Sequence, residues 1–229
     1  MGRALDGSYA EYALLPNEQI YPVDSQLSWS ELAAVPETYY TAFGSFKNLQ
    51  IKEGDSILVR AATSGVGLAF LKLVKAQFPQ NRVVGAVRSL AKKDLLQYLG
   101  FDEIILDEKG VLQTEEKFDK ILELVGPATL KNSFDHIQSA GIICNTGQLG
   151  GKWYVEEFDP IVEIKNNSLL TSFYSGNVSQ QLIDELFSYI DAYQINVSPQ
   201  RIFSLEQIPA AHSYIESQAG FGKVVVLND

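Results

Sequence analysis

The sequence predicts an α/β protein whose core is a doubly wound parallel sheet with helices on both faces. Three observations lead there. Short apolar, β-branched runs alternate with helical patterns through the middle of the chain, the signature of parallel strands buried on both faces. One stretch, Ser56 to Phe78, passes from an apolar run through a small-residue corner into an amphipathic helix. The two chain ends carry β-like stretches that alternate with nothing nearby, and the edges of such strands need partners from elsewhere.

The central stretch organises the rest. Ile57-Leu58-Val59 reads as a strand, Ala61-Ala62-Thr63-Ser64-Gly65-Val66-Gly67 as a tight corner, and Val66, Ala69, Phe70, Leu73, Val74 and Phe78 as one apolar helix face. Strand, glycine-containing turn and helix N-terminus form the place where a Rossmann-type sheet holds a dinucleotide pyrophosphate. Small side chains let the phosphate approach the backbone, and the free N–H groups of the first helical turn point at it. The corner departs from G-x-G-x-x-G: Ala62 and Ser64 stand at the first two glycine positions, and only Gly67 matches the third. Taken alone, the same corner also fits an α/β protein that binds no nucleotide.

Bulk properties narrow the function. The chain has 229 residues, 46% of them hydrophobic and 20% charged, enough to bury one large core or two modest ones. A net charge of −10 argues against nucleic acid or an anionic membrane as partner, and requires any phosphate site to be locally basic. The single cysteine, Cys144, precludes an intrachain disulfide and fits a reducing, cytoplasmic setting. No apolar run reaches membrane-spanning length, and the first residues lack a signal-peptide pattern.

In order, Gly7 to Leu15 and Gln19 to Val23 read as strands. Trp29 to Val35 reads as a helix capped by Ser28 or Ser30, and Tyr39 to Leu49 as a second helix. After the central helix come a strand at Arg82 to Val87, a helix at Leu90 to Leu99 closed by Gly100, and a third strand at Glu103 to Leu106. Lys120 to Val125 reads as the fourth strand, Ala128 to Ile137 as a helix, Gly141 to Thr146 as the fifth strand and Leu169 to Phe173 as the sixth. Ser179 to Tyr193 is a strongly amphipathic helix. The tail reads as strand Arg201 to Leu205, helix Glu206 to Ser217 and strand Gly222 to Leu227, and is expected to join the N-terminal strands. The expected domains are 1–26, 27–194 and 195–229.

The end of the second strand bears on the cofactor. NAD-binding sheets place a carboxylate there, about 20 residues past the glycine turn, to hold the ribose hydroxyls. Gly85-Ala86-Val87-Arg88-Ser89 contains none; Arg88 stands 21 positions after Gly67, and Lys92 and Lys93 follow. Such donors suit a 2′-phosphate, as in NADPH. The other reading is a solvated helix start, which carries a small cost because cations oppose the dipole there.

These residues together resemble the medium-chain dehydrogenase/reductase superfamily, the zinc-type alcohol dehydrogenase group, in its zinc-free quinone-oxidoreductase-like branch. The matching pieces run in order: Gly7-Ser8-Tyr9-Ala10-Glu11-Tyr12, Ala33-Ala34-Val35-Pro36, Thr41-Ala42-Phe43, Gly54-Asp55 through Gly67, and Phe221-Gly222-Lys223-Val224-Val225. They span nearly the whole chain. The resemblance implies hydride transfer from NADPH to a quinone, enone or carbonyl compound. It places Thr41 near the nicotinamide, Ser64, Gly65, Val66 and Gly67 at the pyrophosphate, and Arg88, Ser89 and Lys92 at the 2′-phosphate. Val125-Gly126 and Thr146-Gly147, at the carboxyl ends of the fourth and fifth strands, would line the adenosine and nicotinamide ribose groove, and Phe173 would sit by the nicotinamide amide. It also implies that 1–26 and 195–229 are a remnant of a GroES-like β domain most of which is absent. Substrate is then less fully enclosed, and a truncated NADPH-binding module without catalysis is the alternative.

No cysteine pair remains for zinc. His136 and His212 fall on separate helices, so no metal is expected. Tyr39, Tyr40 and Tyr174 are candidate proton donors, with aromatic packing as the competing role; no catalytic residue is assigned. The sixth strand, as an apolar edge, is expected to pair with a second copy or lie under the following helix.

Overall fold

The computed structural model describes residues 7–217 and 221–228. In chain order the elements are α1 (Trp29–Ala34), α2 (Thr38–Leu49), β1 (Ile57–Arg60), α3 (Gly65–Gln77), β2 (Val83–Val87), α4 (Lys93–Tyr98), β3 (Glu103–Glu108), β4 (Val111–Leu112), β5 (Phe118–Glu123), α5 (Leu130–Asp135), β6 (Ile137–Asn145), α6 (Pro160–Glu163), β7 (Leu169–Ser172), α7 (Gln180–Ala192), β8 (Arg201–Ser204), α8 (Ile208–Glu216) and β9 (Val224–Leu227).

Seven strands form one sheet in the order β4-β3-β2-β1-β5-β6-β7. All its pairings are parallel except β3 with β4. The strand order reverses between β1 and β5, which defines the switch point of a doubly wound fold. The expected Rossmann-type sheet is therefore present. Alternate residues on β1, β2, β3 and β5 serve one face: Leu58, Val84, Ala86, Ile105 and Ile121 join Leu130 and Phe134 of α5 in one buried cluster. Removing that apolar surface from water is the main force holding the sheet to its helices.

The described chain divides into two compact units. One comprises 41–176, with the whole seven-stranded sheet; the other comprises the described residues of 1–40 and 177–229. In the second unit β8 and β9 form a two-stranded parallel sheet. Tyr40 Oη donates to the Asn177 carbonyl and accepts from the Ser179 amide, both at 3.1 Å.

Several expectations are corrected. Neither N-terminal stretch is a strand; within 7–28 the one regular feature is a 3-10 turn at Asn17–Gln19. β9 accordingly pairs with β8, while the lead lies against the tail through polar contacts such as Asn228 Nδ2 to the Ala10 carbonyl, 3.0 Å. The lead alternates like a strand, but among the described residues none of it is paired in a sheet. Residues 1–6 of the lead and 218–220 and 229 of the tail lie outside the described residues. The helix read over Leu90 to Leu99 opens as a 3-10 turn, Leu90–Lys92, before α4. β6 begins at Ile137, four residues before the expected start, and β5 ends at Glu123, two residues before the expected end. β4 was not foreseen. It returns from β3 through Lys109 (φ 52°) and Gly110 (φ 89°), the two left-handed positions of a type I′ hairpin, with lysine where asparagine usually advertises the turn.

Candidate functional site

The carboxyl ends of the parallel strands all open at one edge of the sheet, within the 41–176 unit. The corner after β1 lies beside the switch point. Ala61 is left-handed (φ 58°), an uncommon conformation for a residue with a Cβ. It turns the chain so that Ser64 becomes the N-cap of α3, its Oγ accepting from the Gly67 amide at 3.1 Å. Gly65 and Val66 then carry N–H groups at the open end of a 13-residue helix, where the helical ladder supplies no acceptor. At Gly67 a Cβ would lie 3.1 Å from the Ala61 carbonyl oxygen and 3.2 Å from that of Ala62. The helix can start this close to the strand because the position is glycine. Gly85 on β2 makes the matching allowance, since a Cβ there would come within 2.8 Å of the Ala62 methyl. The corner is thus a small-residue cradle of the kind a pyrophosphate requires, with alanine and serine at two of its glycine positions.

The corner is tied to β2 by the Ala62 amide, which donates to the Ala86 carbonyl at 3.1 Å. Arg88 and Ser89 emerge two and three residues later, both exposed. Ser89 caps the 3-10 turn that Lys92 closes. A cationic group and a hydroxyl therefore flank the end of the strand next to the cradle, an arrangement compatible with a phosphate.

Across the switch point, the turns after β5 and β6 are packed backbone to backbone. Gly126 is left-handed (φ 89°), and a Cβ on it would lie 2.3 Å from the Gly147 carbonyl oxygen. A Cβ on Gly147 would lie 2.1 Å from the Leu124 carbonyl oxygen. The Thr146 and Gly147 amides both donate to the Glu123 carbonyl. Thr146 is further held by α2: Ser45 Oγ lies 2.8 Å from Thr146 Oγ1 and 2.8 Å from the Thr41 carbonyl oxygen, to which it donates. Phe173 closes the group, its ring filling the space over Gly44 where a Cβ would fall within 2.2 Å of the ring atoms. Thr41, Thr146 and Phe173 are brought together by two residues of α2, Gly44 and Ser45, that sequence reading did not single out. Cys144 lies beneath, 3.3 Å from Thr146 Oγ1, and burial pushes its thiol above the usual range.

Two further charged residues went unnoticed in the sequence. Arg60 ends β1 with a side chain 0% exposed. Its Nη2 donates to Asp107 Oδ2 at 2.5 Å and to the Gly110 carbonyl, and its Nη1 faces the Thr129 carbonyl, Asn132 and Ser133. Glu123 ends β5, also fully buried. The available signal was a charged residue directly after an apolar run at a strand's end, Arg60 after Ile57-Leu58-Val59 in one case and Glu123 after Ile121-Leu122 in the other.

Other candidates are placed elsewhere. His136 is buried, its Nδ1 donating to the Glu116 carbonyl at 3.0 Å, and His212 Nε2 lies 2.8 Å from Tyr9 Oη. Among the described residues no three His, Cys, Asp or Glu side chains are grouped to hold a metal ion. Tyr39 is buried, which pushes its phenol well above the usual range, and Tyr174 is exposed. A shallow depression bordered by Asp184, Glu185, Tyr189 and Tyr193 runs along α7 in the other unit and includes none of the site residues. No helix among the described residues is long and apolar enough to cross a membrane.

Comparison with known proteins gives this site a context. The family model described as zinc-binding dehydrogenase matches residues 99–226, more than half of the chain. A zinc-type alcohol dehydrogenase-like protein of Schizosaccharomyces pombe is 26% identical over all of this chain and 68% of its own length. A quinone oxidoreductase of Sus scrofa is 24% identical over 97% of this chain and 70% of its own. A probable polyketide synthase of Dictyostelium discoideum is 24% identical over 95% of this chain, which spans only 8% of that protein. A Bacillus subtilis protein solved with NAD bound superposes with a TM-score of 0.80 at 24% identity, covering 97% of this chain and 70% of the other. A mycobacterial protein solved with NADPH superposes with a TM-score of 0.71 at 21% identity, covering 90% and 66%.

Proposed function

The chain belongs to the zinc-binding dehydrogenase family, in the quinone-oxidoreductase-like branch of the medium-chain dehydrogenases/reductases, and on that premise we propose that it is an NADPH-dependent oxidoreductase acting on a small quinone, enone or carbonyl compound. The observation that carries this reading is the Ser64-capped glycine corner at the switch point of the sheet. The cofactor, when bound, supplies a hydride. The protein's part is to bind and orient it. Gly65 and Val66 offer N–H groups and the positive end of α3 to the pyrophosphate, while Ser64 and Gly67 keep the corner small. Arg88, Ser89 and Lys92 take the 2′-phosphate, a role favoured by the lack of a carboxylate from Gly85 to Lys93. The turns Val125-Gly126 and Thr146-Gly147 wall the ribose groove, and Thr41 and Phe173 flank the nicotinamide. No side chain is assigned as proton donor, since placing the hydride donor against an activated acceptor supplies much of the rate. We further propose a cytoplasmic homodimer joined through the β7 edge.

Thermal unfolding tests the cofactor assignment. At about 100 times its Kd, NADPH should stabilise the chain by about 2.7 kcal/mol, with a larger rise in Tm than NADH gives at the same concentration. Arg88→Ala should weaken NADPH by about tenfold and leave NADH unchanged, as expected for the loss of one charge-assisted contact. No shift with either nucleotide would overturn the binding site, and a larger shift with NADH would overturn only the Arg88 role. NADPH oxidation against a panel of quinones then separates enzyme from module: binding without turnover favours a cofactor-binding protein that does no chemistry.

A further inference from the structure

The buried carboxylate of Glu123 lies directly behind one wall of the proposed groove. Its Oε1 accepts from the Val125 amide at 2.8 Å and the Gly126 amide at 3.0 Å. Its Oε2 accepts from Ser133 Oγ at 2.5 Å and lies 3.7 Å from Arg60 Nε. Ser133 Oγ in turn accepts from Arg60 Nη1 at 3.1 Å. The guanidinium is itself fixed by Asp107, Gly110, Thr129 and Asn132, and Asn132 Oδ1 also accepts from the Leu112 amide. One network therefore joins the carboxyl ends of β1, β3 and β5, the hairpin into β4 and the start of α5.

The placement is costly. Two carboxylates and one guanidinium are withdrawn from water, and such a group often stabilises a fold no better than apolar residues of equal volume. What this network does that an apolar cluster cannot is to hold two consecutive amides at the end of β5. Those amides belong to a turn that keeps Gly126 left-handed and so close to Gly147 that a Cβ on it would lie 2.3 Å from the Gly147 carbonyl oxygen. The carboxylate is itself held from behind, by the Ser133 hydroxyl and the Arg60 guanidinium, and gives both amides one fixed acceptor.

We propose that Glu123 is a positioning residue for the dinucleotide: locked by Arg60 and Ser133, it fixes the Val125-Gly126 turn that walls the groove. The inference rests on the reading of that groove as a cofactor site, and it assigns the work to residues that do not touch the cofactor. A loosened turn should spoil the fit of the whole dinucleotide more than the fit of its adenosine end, which is held chiefly by the Ser64–Gly67 corner and by Arg88, across β1 from the turn.

The test uses the full chain and three readouts. In Glu123→Gln, the Val125 and Gly126 amides should exchange hydrogen at least about tenfold faster, with the amides in the middle of α3 unchanged, as expected when a charged acceptor is lost. By calorimetry, NADPH should bind about tenfold more weakly, while 2′,5′-ADP stays within about threefold of the unsubstituted chain. Ser133→Ala, which removes one support and creates no unpaired charge, should move both quantities the same way by about threefold; it carries the test if Glu123→Gln does not fold. Unchanged exchange at Val125 and Gly126 overturns the clamp, with or without cofactor binding. Equal weakening of NADPH and 2′,5′-ADP overturns positioning in favour of a general loss of structure. If the unsubstituted chain binds neither ligand, the cofactor reading falls and the positioning role with it, while the exchange result still reports whether Glu123 holds the turn.

Discussion

Gly147 and Gly67 look alike in the sequence, yet they face different neighbours. A methyl group at Gly147 meets the backbone of Leu124 at 2.1 Å, and neither strand end can move without breaking the ladder of Thr146, Gly147, Leu149 and Gly150 amides onto residues 123–125. Gly147→Ala should therefore cost about 2–3 kcal/mol, the upper part of the overpacking range, measured by urea unfolding. At Gly67 the contacts are 3.1–3.2 Å and include the movable Ser64 Oγ. Two of those neighbours are the Ala61 and Ala62 carbonyl oxygens, so Gly67→Ala should cost about 1 kcal/mol, the lower end of the same range, and calorimetry should find NADPH bound more weakly, because the added methyl narrows the phosphate corner itself. The corner was legible because its residues are consecutive. Arg60 and Glu123 were not, because their partners lie 47 and 10 residues away in sequence, at Asp107 and Ser133, and a lone charge in an apolar run does not name its counter-ion.

At the scale of the element, local rules served where an element carries its own signals. Ser28 caps α1 in a full capping box: its Oγ accepts from the Glu31 amide, and the Glu31 carboxylate accepts from the Ser28 amide at 3.0 Å and from its hydroxyl at 2.7 Å. These bonds, led by the Ser28 hydroxyl, hold the Glu31 carboxyl below its usual 4.5. A carboxyl lowered in the folded state stabilises above its unfolded pKa and ceases to do so as pH falls through the folded one. Ser28→Ala should thus lower stability by about 1 kcal/mol at pH 7, and the difference from the unsubstituted chain should shrink on acidification below about pH 4. Urea midpoints at pH 7 and pH 3 check both. α3 and α7 were likewise evident from their apolar spacing, and the structure adds Ser64 and Ser179 as their caps. The N-terminal stretches show the limit of such reading: alternation makes a segment able to form a strand, and only a partner backbone makes it one.

For the whole molecule, the sheet order fixes which strand is left at the edge. β7 is the last strand beyond β6, and Leu169 and Leu170 remain 56% and 37% exposed. An unpaired apolar edge invites a second copy. Sedimentation should accordingly find a dimer that Leu170→Lys converts to monomer with little change in Tm; a monomer at all concentrations would leave the edge without that role.

Taken by themselves, the residues determined the alternation of strands and helices, the small-residue corner and the lack of a carboxylate at the end of β2, since each depends on side chains adjacent in the chain or one turn apart. The tertiary structure decided which strand ends meet, how closely Gly126 approaches Gly147, and that Arg60 reaches Asp107 and Ser133 while Glu123 grips the turn beside them. Those contacts join distant parts of the sequence, and their energies appear only once the folded sheet has brought the groups together away from water.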